Sequence, residues 1–171
     1  SLDTPEGSTS ATYDDQDRLL TYGDFEYTYT ANGELLTKAD TSTGDITAYE
    51  FDVFGNLVRV DLPNGDVIDY LVDGRNRRVG KRVNGVLVKQ WLWASQLRIA
   101  AELDGAGNLV SRFVYGDKPT TPELVIRDGE VYRVLSDHLG SVRAICQNRK
   151  RASIANSDCS RLWDKVRRGT A

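Results

Sequence analysis

The chain has 171 residues, of which 40% are hydrophobic and 27% are charged, and its formal net charge is −3. This composition is ordinary for a soluble globular protein, and the length is that of one domain. No apolar run approaches the ~20 residues that cross a bilayer, so we expect no membrane span, and the first residues lack the apolar block of a signal peptide.

The first twelve residues differ in composition from the rest of the chain. Residues 1–12 are rich in Ser, Thr, Gly and Pro, which predicts an irregular N-terminal arm. Further on, Phe25, Tyr27 and Tyr29 alternate with polar residues. This period of two indicates β-strands with one face towards water.

A short pattern then recurs along the chain. It consists of an aromatic residue, often an Asp after it, a Gly four residues beyond the aromatic, and two apolar residues; its best copy is Phe51-Asp52-Val53-Phe54-Gly55-Asn56-Leu57-Val58. The first positions of successive copies, at 29, 51, 72 and 93, are spaced by 22, 21 and 21 residues. A fixed period of this size predicts a repeat architecture.

The residue types of the repeat favour a β-hairpin. An Asp can bond its own backbone in a turn, and a Gly adopts positive φ without steric cost. Four pairs that suit the primed two-residue turns of hairpins support this interpretation; they are Asn32–Gly33, Gly55–Asn56, Asn64–Gly65 and Asn84–Gly85.

Residues 86–101 form the most apolar stretch and include Trp91 and Trp93. Two residues apart on a strand, the two indole rings face the same side. They either seed the core or form an aromatic platform that binds carbohydrate. Beyond them, Pro119 and Pro122 mark a loop, and a hairpin comes next with its turn at residues 128–129.

Residues 72–81 and 103–116 extend the repeat, and the segment Asp137-His138-Leu139-Gly140-Ser141-Val142-Arg143 follows it. Together with the repeat, these segments resemble the tyrosine-aspartate (YD) repeat or rearrangement-hotspot (RHS) proteins over residues 13–145. The resemblance implies a secreted or cell-surface parent whose β-ribbon spirals into a hollow shell around a toxic or adhesive cargo. The chain departs from this family in two respects. It holds too few repeats to close a shell, and it lacks the Asp-Pro-x-Gly type motif at which relatives cleave themselves.

We therefore predict an all-β domain over residues 13–145, a twisted antiparallel sheet of consecutive YD-repeat hairpins that forms a partial shell or open barrel. Its function is that of a structural scaffold. The open edges of such a sheet predict self-association. Two alternatives remain: a small hydrolase acting on ester, phosphoester or glycoside bonds from the concave face, and a carbohydrate-binding module.

The last 26 residues, 146–171, do not continue the repeat. They carry seven basic and two acidic side chains, a balance of +5, and they predict a separate basic tail with a short helix over residues 160–168. Because Trp163 is the single aromatic residue among the basic ones, nucleic acid is not the expected partner.

Residues able to carry chemistry are few. His138 is the single histidine and Asp137 precedes it, while Cys146 and Cys159 are the only cysteines. The cysteines either form a disulfide or remain thiols, of which Cys146 is a candidate nucleophile beside His138. A site made of His138 and both cysteines lacks the spacing of a metal centre, so we expect no metal and no cofactor.

Overall fold

The computed structural model describes residues 2–4 and 7–147. The chain divides into two compact units, one up to Leu87 and one from Val88 onward. The strands of the first unit are β1 (Leu2–Thr4), β2 (Gly7–Thr9), β3 (Ala11–Tyr13), β4 (Leu19–Tyr22), β5 (Phe25–Tyr29), β6 (Leu35–Asp40), β7 (Ile46–Phe51), β8 (Leu57–Asp61), β9 (Val67–Val72) and β10 (Arg78–Val83). Those of the second are β11 (Val86–Trp93), which begins two residues before the division, β12 (Ile99–Asp104), β13 (Leu109–Val114), β14 (Leu124–Arg127), β15 (Glu130–Ser136) and β16 (Val142–Gln147).

Each unit is an antiparallel meander. In the first unit β3 to β10 pair in chain order, and in the second β11 to β16 do the same. Within the described residues β3 pairs only with β4 and β16 only with β15, so both of these strands leave an open edge. The predicted all-β class and the run of consecutive hairpins are confirmed.

The N-terminal arm is more regular than its composition indicated. Strands β1 and β2 form a small hairpin of their own, with Leu2 opposite Thr9, and β3 begins at Ala11. The prediction of an irregular arm over residues 1–12 is therefore wrong for these segments. Strands of three residues are too short for a period of two to be recognised in the sequence.

The two faces of the meander in the first unit differ as the alternation in the sequence predicts. On β5 the rings of Phe25, Tyr27 and Tyr29 are half-buried, whereas Glu26 and Thr28 between them are exposed. On the exposed face the hydroxyls of Thr28 and Thr37 lie 2.6 Å apart across the β5–β6 pair. The prediction of one wet face is confirmed for this strand.

The same exposed face carries a row of alternating charges across four strands. Glu50 on β7 lies opposite Arg59 on β8, Arg59 lies opposite Asp69 on β9, and Asp69 lies opposite Arg82 on β10. Arg59 also bonds Asp61 of its own strand, Nη2 to Oδ1, at 2.9 Å. Opposite charges on directly facing residues favour this register over a shifted one.

The hydrophobic core is thin. Among the described residues only two hydrophobic side chains are buried, Val60 and Ala101, with 6% and 7% of their surface exposed. Several large apolar side chains are exposed, up to 94% for Val53. The meanders therefore bury few side chains completely.

Every regular element of the described residues is a strand, and they contain no helix long and apolar enough to cross a membrane. The helix predicted over residues 160–168 lies outside the described part of the chain. Strand β16 runs to Gln147, two residues past the boundary predicted at 145, and the basic tail beyond it also lies outside the described residues.

Candidate functional site

The recurring feature of the structure is a five-residue turn. The peptide nitrogen of its first residue donates to the carbonyl oxygen of the fifth, and the nitrogen of the fourth donates to the carbonyl oxygen of the first. Where Asp stands first, we call it an aspartate turn, and in these turns the two bonds measure 2.9 to 3.2 Å. The aspartate turns are Asp14–Arg18, Asp52–Asn56, Asp73–Arg77, Asp104–Asn108 and Asp137–Ser141.

The Asp carboxylate closes each turn. In the 52–56 turn, Oδ1 of Asp52 accepts hydrogen bonds from the peptide nitrogens of Phe54 and Asn56, both at 2.9 Å. Its Oδ2 accepts a third, also 2.9 Å, from Nδ2 of Asn56. One side chain thus satisfies two peptide groups that the hairpin leaves unpaired, which is why the repeat contains Asp at this position.

The fifth residue of the turn supplies the clamp on the carboxylate, and its identity varies. It is Asn in the 52–56 and 104–108 turns and Arg in two others, where Arg18 bonds Asp14 and Arg77 bonds Asp73. In the 137–141 turn Arg143, two residues later, takes over this function. Sequence reasoning missed this position, although an Arg or Asn four residues after the Asp is its visible signal.

These bonds lower the pKa of the carboxyl groups. The hydrogen bond from Arg77 lowers the pKa of Asp73 to about 2. The bond from the Asn56 side chain likewise lowers the pKa of Asp52. Desolvation raises the pKa of Asp137, but the bonds from the Ser141 nitrogen and from Arg143 outweigh it, and this pKa also lies below its ordinary value.

The fourth residue of the turn has a left-handed backbone. Its φ is +77° at Gly55 and +90° at Gly107, and also positive at Asn76 and Asp17, with +58° and +59°. Asn and Asp are the non-glycine residues that adopt this conformation most readily. Degenerate copies of the repeat that lack Gly therefore still fold into the same turn.

Most of the predicted primed turns are of another type. Of the four predicted pairs, only Asn84–Gly85 has two successive positive φ values, +51° and +79°, as a type I′ turn requires. At Gly33, Gly55 and Gly65 the preceding residue has no positive φ, and the bonds are those of the five-residue turn. Thr30 and Leu62 occupy the Asp position in two of these turns. The prediction of primed turns is wrong at these three positions, because a single left-handed glycine followed by a bulge closes the hairpin equally well.

In a meander, alternate connections lie at the same edge of the sheet. In the first unit one edge therefore carries the 14–18, 30–34, 52–56 and 73–77 turns, and we call it the turn edge. Neighbouring turns contact each other there, since Nδ2 of Asn56 donates to Oδ1 of Asn76 at 3.1 Å. From the 30–34 turn onward, the period of about 21 residues in the sequence is thus the distance along the chain between adjacent turns of this edge.

The tyrosine before a turn bonds the neighbouring strand. The hydroxyl of Tyr29 donates to the carbonyl oxygen of Leu19 at 2.8 Å, while the guanidinium carbon of Arg18 lies 5.2 Å from the centre of the Tyr29 ring. Because Arg18 also bonds Asp14, the aspartate turn and the tyrosine of the next turn form one connected unit.

The second unit repeats this arrangement. The hydroxyl of Tyr115 donates to the carbonyl oxygen of Ile99 at 3.1 Å, and the guanidinium carbon of Arg98 lies 5.4 Å from its ring centre. Burial raises the pKa of Tyr115, which keeps its hydroxyl a donor. The bond from a tyrosine hydroxyl to a carbonyl oxygen of the neighbouring strand therefore occurs in both units.

The proline loop of the second unit crosses between two turns. Nε of Arg98 donates to the carbonyl oxygen of Pro119 at 2.7 Å. The hydroxyl of Thr121, of which only 7% is exposed, donates to the carbonyl oxygen of Gly140 at 3.0 Å. The prolines mark a loop as predicted, and the loop fastens the turn before β12 to the turn before β16.

The predicted catalytic candidates are dispersed. His138 is exposed at the second position of the 137–141 turn. Both carboxylate oxygens of Asp137 are bonded to the turn backbone and to Arg143, and no bond joins Asp137 to His138 in the described part. Cys146 is half-buried on β16, five residues beyond Ser141 and so about 16 Å along the strand.

Other predicted sites stay open in part. Cys159, the predicted disulfide partner of Cys146, lies outside the described residues, so their pairing stays a prediction. Trp91 and Trp93 lie half-buried on β11 on either side of Leu92, which is 52% exposed. Their role in binding carbohydrate also stays a prediction. The described residues hold no group of three His, Cys, Asp or Glu side chains placed to bind a metal ion.

Taken together, single-layer meanders closed by aspartate turns and fastened by tyrosine bonds define a structural repeat protein of the YD class. The family model for the teneurin YD-shell matches residues 2–154. The chain belongs to this family. Its structural role as a β-repeat scaffold agrees with both the fold and the match.

Solved structures show the same fold. The chain is similar to the crystal structure of TcdB2-TccC3, with 12% identity, a TM-score of 0.54, and 88% of this chain and 10% of that chain covered. It is also similar to the Photorhabdus luminescens Tc holotoxin pore with a mutated TccC3, with 12% identity, a TM-score of 0.53, and 92% and 10% covered. The chain thus spans about a tenth of these proteins. Comparison with curated proteins finds no match.

Proposed function

We propose that this chain is a wall segment of a β-shell in a secreted or cell-surface protein that assembles into a larger complex. Its function is structural: consecutive hairpins form a continuous sheet, and the turns maintain the shape of that sheet. The whole shell, and any cargo it surrounds, belongs to proteins about ten times the length matched here.

The thin core is the observation that carries this proposal. A domain that acts alone packs two or more layers around a hydrophobic interior. Here two hydrophobic side chains are buried in the described residues, while Val53, Phe54 and Leu139 are 75% to 94% exposed. A single layer with turns clamped by side chains suits a wall whose faces are completed by the rest of a larger protein.

The charge state of the turn aspartates favours a scaffold over a hydrolase. A general acid needs a carboxyl group whose pKa is raised towards the working pH. The pKa values of Asp52, Asp73 and Asp104 are all lowered by turn bonds. These groups are ionised acceptors that stabilise the backbone, and they are unsuited to donate a proton in catalysis.

Activity assays test this distinction directly. The purified chain should not hydrolyse ester, phosphoester or glycoside substrates above the level of a buffer blank. His138→Ala and Cys146→Ala variants serve as matched controls, since they remove two of the candidate groups. An activity that copurifies with the parent chain and is lost in one of these variants would replace the scaffold by an enzyme.

Open sheet edges supply the second test. Strand β16 is the last described strand of the second unit and pairs only with β15, and an unpaired strand edge is a template for a further strand. We expect concentration-dependent self-association in sedimentation, weakened by Ala144→Lys because a charge on an edge strand opposes pairing. Ala31→Lys adds the same charge in the 30–34 turn and should leave association unchanged. A parent chain that stays monomeric at all concentrations would contradict pairing through the edges.

A further inference from the structure

Three Asn–Gly pairs lie in turns of the first unit. They are Asn32–Gly33, Asn64–Gly65 and Asn84–Gly85, and all three asparagines are exposed. A following glycine leaves the peptide nitrogen sterically open to attack the asparagine side chain, because it carries no Cβ. Exposure and the following residue therefore do not distinguish the three sites, but hydrogen bonding does.

Asp66 holds two of these asparagines. Oδ1 of Asn64 accepts from the peptide nitrogen of Asp66 at 3.0 Å, and its Nδ2 donates to Oδ2 of Asp66 at 2.7 Å. Oδ1 of Asn84 accepts from the nitrogen of Val67, and its Nδ2 donates to Oδ1 of Asp66, both at 2.8 Å. Both amide groups must break two bonds before they can rotate.

Asn32 has no such restraint. No bond is made by its amide group in the described part of the chain. The turns of Asn32 and Asn64 are otherwise equivalent: the nitrogen of Gly33 donates to Thr30 O, and that of Gly65 to Leu62 O, both at 3.0 Å. The two asparagines thus form a matched pair that differs in whether the side-chain amide is hydrogen-bonded to Asp66.

We propose that Asn32 is a site of spontaneous deamidation that converts this turn to an aspartate or isoaspartate form. The Gly33 peptide nitrogen gives its proton to water and bonds to Cγ of Asn32, and the side-chain amide leaves as ammonia. Water then opens the five-membered succinimide ring at either carbonyl. One product is aspartate, and the other is isoaspartate, in which the main chain passes through the side-chain carbon.

The products change the turn edge in two ways. Each adds a negative charge two residues from Glu34, which already bonds Thr30 across the turn. Isoaspartate also lengthens the main chain by one carbon, at a turn where Gly33 has a φ of +96°. The β5–β6 hairpin is loosened as a result, so that the turn edge of an aged chain differs from that of a new one.

Mass spectrometry tests this proposal on the full chain. The protein is incubated at mildly alkaline pH in heavy-oxygen water, digested, and analysed for deamidated and isoaspartyl peptides. We expect Asn32 to react about tenfold faster than Asn64 or Asn84, since two hydrogen bonds must break at each of those sites. An unchanged Asn32, or an Asn64 that reacts as fast, would overturn the proposal.

Two variants test the reaction at Asn32 and the protection that the Asp66 hydrogen bonds give to Asn64 and Asn84. Asn32→Gln should abolish the rapid reaction, because its side chain would have to close a six-membered ring. Asp66→Ala should accelerate Asn64 and Asn84 and leave Asn32 unchanged; no acceleration would contradict the role of Asp66. If the Asp66→Ala protein is unfolded, all three asparagines should react at the same rate. The ratio of the Asn32 and Asn64 deamidation rates in the parent chain then tests the proposal.

Discussion

The hydroxyl of Tyr29 donates a 2.8 Å hydrogen bond to the carbonyl oxygen of Leu19 on the neighbouring strand. This bond explains why a tyrosine, rather than any apolar residue, precedes the turn: the ring packs beneath Arg18 while its polar end satisfies a backbone group. Tyr115 and Ile99 repeat it in the second unit.

Removal of this hydroxyl should destabilise the sheet. Tyr29→Phe leaves a half-buried carbonyl without its donor, so the free energy of unfolding should fall by about 1 kcal/mol. Urea denaturation followed by circular dichroism measures the change. Tyr13→Phe is the matched control, because that ring is 59% exposed, and a loss of equal size there would show that the Leu19 bond is not the cause.

The left-handed residue of the turn gives a second prediction. Gly55→Ala should cost about 1 kcal/mol, because Ala disfavours a φ of +77°. Its new Cβ would lie 3.8 Å from Glu34 Oε1, which is an ordinary contact, so the cost is conformational. Gly74→Ala, in an equivalent turn but with no positive φ and nothing within 4 Å, should change stability by less than about 0.5 kcal/mol. Equal effects at both positions would contradict this explanation.

The sequence predicts the fold well because its signals are local. The spacing of Phe51 and Gly55, the alternation on β5, and Asp at the first turn position each act within a few residues, and the structure confirms all three. The period also identifies which turns lie on one edge. Local consistency of this kind is what a repeat architecture requires, since each hairpin contacts only its neighbours.

What the sequence does not predict depends on longer contacts or on choices between similar turns. The Asn-Gly pairs suit a primed turn and a bulged one alike, and only the strand register decides between them. The bond from Thr121 to Gly140 joins residues 19 positions apart, which no local pattern reveals. His138, Cys146 and Trp91 are candidates because of their chemistry alone, and no local pattern in the sequence assigns them a shared site.

A close contact between β9 and β10 supplies a third prediction. Gly80 lies opposite Leu71 next to a break in the register, and a Cβ built on it would lie 2.8 Å from Leu71 Cδ1. Gly80→Ala should therefore lower the free energy of unfolding by about 1 to 3 kcal/mol. In a Leu71→Ala background the same substitution should cost at least about 1 kcal/mol less, because Leu71 Cδ1, the atom nearest to the new Cβ, is gone.

This double-mutant cycle is measured by denaturant titration of the four proteins. An additive result, in which Gly80→Ala costs the same with Leu or Ala at position 71, would show that the strain lies in the backbone of the register break. Coupling between the two substitutions would confirm that the glycine is required by the close approach of the strands.

The Asp73–Arg77 pair predicts a response to acid. Its Oδ2 to Nη2 distance is 2.7 Å, and this bond lowers the pKa of Asp73 to about 2. Since the unfolded chain has a pKa of about 3.9 at this residue, the folded state binds fewer protons between these values. The contribution of the pair is therefore complete above pH of about 4 and is lost as the pH falls towards about 2.

NMR titration of the side-chain carboxyl carbons measures this directly. The midpoint of Asp73 should lie at about 2, and Arg77→Gln should raise it, because the arginine bond is the largest cause of the shift. Asp52, whose carboxylate is clamped by Asn56, is the internal control and should titrate alike in both proteins. If Arg77→Gln leaves the titration midpoint of Asp73 unchanged, the peptide nitrogens of Arg75 and Arg77 alone stabilise its charge.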